Sequence, residues 1–191
     1  MIHLRQGSGG LVIRVSSGLR AEHVAEFLSS TVPGLVDIVQ IREPELGTQE
    51  LLELLNRVVP AAHAAKIRVV VNDRVDVALI SGADGVHLRA DGPPVAAVRS
   101  IVPPGFLVGR SAHNDAEIDR AAGADYLIFG TVFATPSKPG VAGQGLEALR
   151  RAVDRFQGPV LAIGGVSPGN AAEVLAAGAA GYAAIGAFDL C

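Results

Sequence analysis

The chain has no tryptophan, and only 4% of its 191 residues are aromatic. Its core must therefore be built from Val, Leu, Ile and Ala, the composition of parallel strands buried on both faces. Cysteine is nearly absent as well. The single thiol, Cys191, is the last residue, which excludes a disulfide framework and points to a reducing compartment, so a cytoplasmic location is expected. Basic residues do not exceed acidic ones: the formal net charge is −3, and no basic stripe is present to recruit a nucleic acid or a membrane surface. No apolar run approaches a membrane span, and the first residues lack the charged-then-apolar order of a signal peptide.

What is present is apolar and periodic. Hydrophobic residues make up 49% of the chain, and no break in composition divides it, so one domain over residues 1–191 is expected. Strand-like runs at 11–15, 38–42, 68–72, 85–88, 107–111, 126–129, 160–163 and 182–185 alternate with helix-like ones. The clearest helix covers 49–65, with Leu51, Leu55, Val58, Val59 and Ala62 on one face. Gly82-Ala83-Asp84, Gly123-Ala124-Asp125 and Gly178-Ala179-Ala180 punctuate the handover from helix to strand, where glycine caps the helix in a left-handed conformation. This pattern predicts an α/β protein, a (β/α)8 TIM barrel in short form with the last helix truncated. The flank left bare favours a partner subunit, and a homodimer is expected. The rival fold, an open doubly wound sheet, would not require eight similar units, and no Gly-x-Gly-x-x-Gly fingerprint accompanies it.

The segment Pro159-Val160-Leu161-Ala162-Ile163-Gly164-Gly165 is an apolar run ending in paired glycines just before a helix start. Amides freed at Gly164 and Gly165, with the positive end of that helix, offer a seat for a phosphate, and Ile185-Gly186 offers a second one strand later. In such a barrel the chemistry gathers at the C-terminal strand ends. Those ends carry Gln40 and Arg42, Asn72 and Asp73, His87 and Arg89, Arg110, Ser111 and His113, then Thr135 and Lys138. Each has a plainer role open to it. Arg42 reaches a substrate anion or pairs with a carboxylate inside the barrel. Asp73 binds metal or ligand, or caps the helix that follows. His87 reads as a hydrogen-bonded interior histidine. His113, between Gly109-Arg110-Ser111-Ala112 and an Asn114-Asp115 helix start, is a proton carrier or a solvated loop histidine. Lys138 is a cation on a lid or a surface lysine.

Taken together, Gln40-x-Arg42, Asn72-Asp73, Gly82-Ala83-Asp84-Gly85-Val86-His87-Leu88, Gly109-Arg110-Ser111-Ala112-His113, Gly123-Ala124-Asp125-Tyr126, Phe129-Gly130, Phe133-Ala134-Thr135-Pro136-Ser137-Lys138 and Ala162-Ile163-Gly164-Gly165 resemble the thiamin phosphate synthase and thiazole tautomerase superfamily over nearly the whole chain. The resemblance implies two chemistries on one barrel. The synthase joins a thiazole phosphate to a pyrimidine whose pyrophosphate leaves with magnesium. The tautomerase moves a proton on a thiazole carboxylate phosphate, without metal. In both, the phosphate sits on amides matching Gly164, Gly165, Ile185 and Gly186.

Two departures separate the chemistries. The synthase pattern Gln-x-Arg-x-Lys meets Pro44 here, and its second metal-binding aspartate is displaced in Arg89-Ala90-Asp91-Gly92. The tautomerase subgroup's histidine turn is matched by His113, and its Gly-x-x-Gly-x-Gly stretch by residues 140–145. The resemblance therefore implies a tautomerase-like isomerase with His113 as acid and base. Arg42 would face the ring carboxylate, with Gln40, Asn72, Ser111, Thr135 and Lys138 around it, and no cofactor is needed. Thiamin phosphate synthase, with magnesium at Asp73, is the alternative, and a non-catalytic phosphate-ligand regulator is the alternative of another class.

Overall fold

The computed structural model describes residues 10–29, 36–136, 140 and 142–185. Eight parallel strands close into a barrel in chain order: β1 (Leu11–Val15), β2 (Ile38–Ile41), β3 (Arg68–Asn72), β4 (Gly85–Leu88), β5 (Leu107–Ala112), β6 (Tyr126–Gly130), β7 (Val160–Ile163) and β8 (Gly181–Ala184), with β8 pairing back onto β1. The helices between them are α1 (Val24–Ser29), α2 (Thr48–Ala64), α3 (Val75–Ser81), α4 (Val95–Arg99), α5 (Asp115–Asp119), α6 (Gly145–Arg155) and α7 (Ala171–Ala176). This is the short TIM barrel expected from the strand count, and no helix follows β8 among the described residues. None of the described helices is long and apolar enough to cross a membrane.

Nearly every strand residue is buried, on both faces, which is why the strands read as unbroken Val, Leu, Ile and Ala runs. One parity fills the barrel interior with Leu11, Ile13, Val15, Ile38, Val70, Leu107, Tyr126, Ile128, Leu161 and Ala183. The other parity packs against the helices. On α2 the buried stripe is Leu51, Leu54, Leu55, Val58, Val59 and Ala62, one leucine more than the expected face. Gly109 is required by a close approach: a Cβ there would fall within the Tyr126 ring, its neighbour in register.

The floor of the barrel is closed by a repeated device. Asp37, Asp84 and Asp125 each stand just before or at the entry of an even-numbered strand. Each takes the amide of the second residue of the preceding strand: Val12 N–H at 3.0 Å, Val69 N–H at 2.7 Å and Val108 N–H at 2.8 Å. Their own amides donate to the carbonyls of those same valines. The fourth repeat has Ala180, whose amide still donates to Val160 O at 2.8 Å but which brings no carboxylate. The Gly-Ala-Asp punctuation is thus a clasp as well as a helix stop.

Candidate active site

Interior parity carries a polar group to the C-terminal end of four consecutive strands: Gln40, Asn72, His87 and Ser111. Gln40 Nε2 donates to Asn72 Oδ1 at 3.1 Å, and Asn72 Nδ2 donates to Asp73 Oδ2 at 3.2 Å. Gln40 is 3% exposed and its Oε1 has no partner among the described residues, an acceptor left available inside the mouth. His87 is enclosed, with Nε2 2.8 Å from Ser111 Oγ and Nδ1 3.2 Å from the Tyr126 hydroxyl, the two rings stacked at 5.6 Å. Burial, then the Arg110 charge, lowers the His87 pKa to about 3, so the imidazole is neutral at ordinary pH. Burial likewise raises the Tyr126 phenol, which stays protonated. His87 is therefore the interior histidine expected, with an added consequence: it fixes Ser111.

Arg42 follows β2, exposed, its amide donating to Ser16 Oγ at 3.0 Å. The carboxylate of Asp73 caps no helix: α3 opens at Arg74 without a side-chain cap. Instead Asp73 Oδ1 accepts from the Arg89 amide at 2.8 Å, and Oδ2 lies 2.7 Å from Arg89 Nε. Arg110 points out of the barrel and secures the same β4–α4 loop from below, donating to the carbonyls of Pro93 (2.6 Å), Ala90 (2.9 Å) and Gly92 (3.1 Å). These residues do not fit a divalent cation. Both Asp73 oxygens and three loop carbonyls already serve guanidinium or amide donors, two fixed positive charges stand alongside, and no cluster of three acidic, His or Cys groups exists among the described residues.

Across the mouth the recognition elements are backbone. Gly164 and Gly165 both have left-handed φ (95° and 63°), and no described acceptor takes the amides of Gly164, Gly165 or Val166. Side chains are excluded here: a Cβ on Gly164 would lie 2.9 Å from Thr131 Cα, and one on Gly165 would press on Phe133. A short turn lies between this seat and the helix that follows. Helix α7 starts only at Ala171, and Asn170 Oδ1 accepts from the Ser167 amide in the intervening turn. Ile163 pairs with Ala183, so Ile185 lies beside the glycine turn at the adjacent strand end, exposed and lining a cavity of about 480 Å³ with Ser17, Gly18 and Phe27. Gly186 and Lys138 lie outside the described residues, and Thr135 is half-buried on the β6–α6 connection.

His113 lies just beyond β5, whose strand runs on through Ala112 where a turn was expected. Its Nδ1 is hydrogen-bonded to the carbonyl of Gly130, which also accepts from Gln144 Nε2 at 3.2 Å. A carbonyl can only accept, so Nδ1 carries a proton, and in the neutral form of the ring Nε2 is the nitrogen with the lone pair. Gly130 pairs in register with Ile163, the residue before Gly164. The imidazole is thus tied to the strand next to the glycine turn. Sequence reasoning did not assign a role here to Gly130, Gln144 or Tyr126. Tyr126 alone left a signal, an aromatic at interior parity opposite a glycine.

A family model described as thiamine monophosphate synthase matches residues 11–188. The chain is 44% identical to the thiamine-phosphate synthase of Methanoculleus marisnigri, over 81% of this chain and 74% of that one. It is 38% identical to the thiamine-phosphate synthase of Caldanaerobacter subterraneus, over 91% and 83%. Among solved structures, the thiamine phosphate pyrophosphorylase from Pyrococcus furiosus superposes with a TM-score of 0.78 at 33% identity, over 92% of this chain and 85% of that one.

Proposed function

The chain belongs to the thiamine monophosphate synthase family, and on that premise we propose that it acts in thiamin biosynthesis on a thiazole phosphate, whose phosphate rests on the amides at Gly164 and Gly165. Two reactions share such a seat. The names of the relatives favour magnesium-dependent coupling to a pyrimidine pyrophosphate, and favour it more directly than isomerisation. This chain's own residues favour proton transfer on the ring. The observation that carries that reading is the His113 tether: Nδ1–H held by the Gly130 carbonyl leaves Nε2 as a base at the mouth. The clasped Asp73 and the Pro44 in place of a lysine support it. We therefore place thiazole tautomerisation first and thiamin phosphate synthesis second.

In this mechanism the glycine turn orients the ring by its phosphate, and Arg42 offers a cation to the ring carboxylate. Gln40, Asn72 and Ser111 bound the ring, Thr135 joins them from the β6–α6 connection, and Lys138, outside the described residues, keeps the substrate-binding role that the resemblance implies. His113 Nε2 takes a proton from one ring position and returns it to another, so composition is unchanged and no co-reactant is consumed. The expected assembly, a homodimer in the cytoplasm, belongs to the same proposal; the exposed Ile80 and Ile101 support a partner surface.

The test is turnover of the thiazole tautomer carboxylate phosphate, in parallel with pyrophosphate release from thiazole phosphate, pyrimidine pyrophosphate and magnesium. Tautomer turnover should fall about 10²- to 10⁴-fold in His113→Gln. Magnesium-dependent pyrophosphate release, with tautomer turnover unaffected by that substitution, would put synthesis first.

A further inference from the structure

We propose that the Arg89 guanidinium is a resident cation standing where a second carboxylate and its divalent metal would otherwise converge, and that it receives a substrate oxyanion, a carboxylate or phosphate oxygen, at the mouth. The first ground is the position of residue 92. A Cβ on Gly92 would lie 3.6 Å from Asp73 Oδ1, so an acidic side chain there would share a ligand with Asp73, and glycine supplies none. The second is that Arg89 fills the gap from the other end of the same short loop. Its Nε stands 2.7 Å from Asp73 Oδ2 and 3.4 Å from Asp91 Oδ1. A guanidinium also carries its charge at any working pH and needs no loading.

The third ground is rigidity. Arg110 ties down three carbonyls of the loop from below, and the Asp73 carboxylate ties its first amide from the side. Arg89 is therefore presented from a fixed loop. Its side chain is 61% exposed, and no described residue takes its terminal nitrogens, which leaves donors directed at solvent or ligand. Charge completes the case: Asp73 and Asp91 are balanced by Arg89 and Arg110, so the loop offers a dication no net negative charge. The oxyanion half of this proposal rests on the thiazole phosphate reading; the exclusion of metal does not.

Manganese titration of the full chain, read by the electron spin resonance of the free ion, tests the metal half. The wild type should bind no Mn²⁺ below about 1 mM. The double variant Arg89→Gly, Gly92→Asp should bind one ion at least about tenfold more tightly. Stoichiometric Mn²⁺ uptake by the wild type that disappears in Asp73→Asn would overturn the proposal, and the wild-type titration decides even if the double variant fails to fold. Calorimetric binding of the thiazole carboxylate phosphate in excess EDTA tests the other half. Arg89→Gln should weaken it about tenfold and Arg89→Lys should recover part of the loss. Equal affinity in wild type and Arg89→Gln, or a requirement for metal, would overturn it. A wild type that binds no thiazole phosphate under any condition counts against the proposed substrate, while the manganese result stands independently.

Discussion

The two ends of this barrel are built from the same strands and treat polar groups in opposite ways. At the floor, Asp37, Asp84 and Asp125 each meet the backbone at two points, His63 adds a hydrogen bond to Asp84 (2.8 Å), and Arg99 adds an ion pair to Asp125 (2.6 Å). At the mouth, Gln40 Oε1 and three consecutive amides have no described partner, and two successive glycines hold left-handed backbone. Satisfied groups add stability and have no capacity left for a ligand. Unsatisfied ones cost stability until something binds. The division of labour follows from strand direction, since the loops that vary without disturbing the sheet lie at the C-terminal ends.

The largest effect that would break this contrast is expected at Gly164. Alanine there must adopt a φ of 95° and place its Cβ 2.9 Å from Thr131 Cα. The turn or the β6–α6 connection has to move. We expect the affinity for thiazole phosphate to fall at least about 100-fold, with about 2–4 kcal/mol lost from stability through strain and overpacking. Calorimetry and denaturant unfolding on the same variant separate the two. Unchanged ligand affinity in Gly164→Ala would remove the glycine turn from the site.

At the floor the opposite signature should appear. Asp125→Ala leaves the Val108 amide without its acceptor and takes from Arg99 its carboxylate partner, the Gly123 and Phe106 carbonyls remaining, and about 2–3 kcal/mol of stability should be lost. Ligand affinity and turnover should stay within about twofold once the protein is folded, because nothing at the mouth touches Asp125. A comparable loss of turnover at saturating substrate would show the two ends to be coupled.

Much of this was legible in the chain. Eight apolar runs and repeated glycine stops are enough to count the strands, and period-two parity then brings Gln40, Asn72 and Ser111 to one interior surface. What stayed hidden depended on register. His87 and Tyr126 are 39 residues apart, and their contact exists only because β4, β5 and β6 align with Gly109 between the rings. The Asp73 carboxylate was read as a helix cap or a metal ligand. Its actual partner, Arg89, lies 16 residues on and across a strand pair, where local rules have no reach. The clasp function of Asp84 and Asp125 was present in the Gly-Ala-Asp repeat, but the cap geometry of its glycine explained the repeat first, and Asp37, after Leu35-Val36, carried no such mark.

His87 sharpens the comparison, because it stands at the mouth and is satisfied like a floor residue. Its folded pKa is lowered to about 3 by burial, whereas an unfolded chain protonates histidine near ~6.5. Between those values the unfolded state binds a proton that the folded state does not, so the stability gained by a neutral His87 is complete above pH ~6.5 and declines as the pH falls. The slope is at most about 1.4 kcal/mol per pH unit for one proton. At about pH 5.5 the wild type should therefore have lost about 1 kcal/mol more, relative to pH 7.5, than His87→Gln, which cannot titrate. That pH lies far enough above the folded pKa for the expectation to be insensitive to its value. The other four histidines are common to both proteins and cancel in the difference. Urea unfolding at the two pH values measures it. Equal losses in the two proteins would mean that His87 is protonated in the folded state. Its bonds to Ser111 and Tyr126 would then be those of an imidazolium, and the mouth would hold a third positive charge beside Arg42 and Arg89.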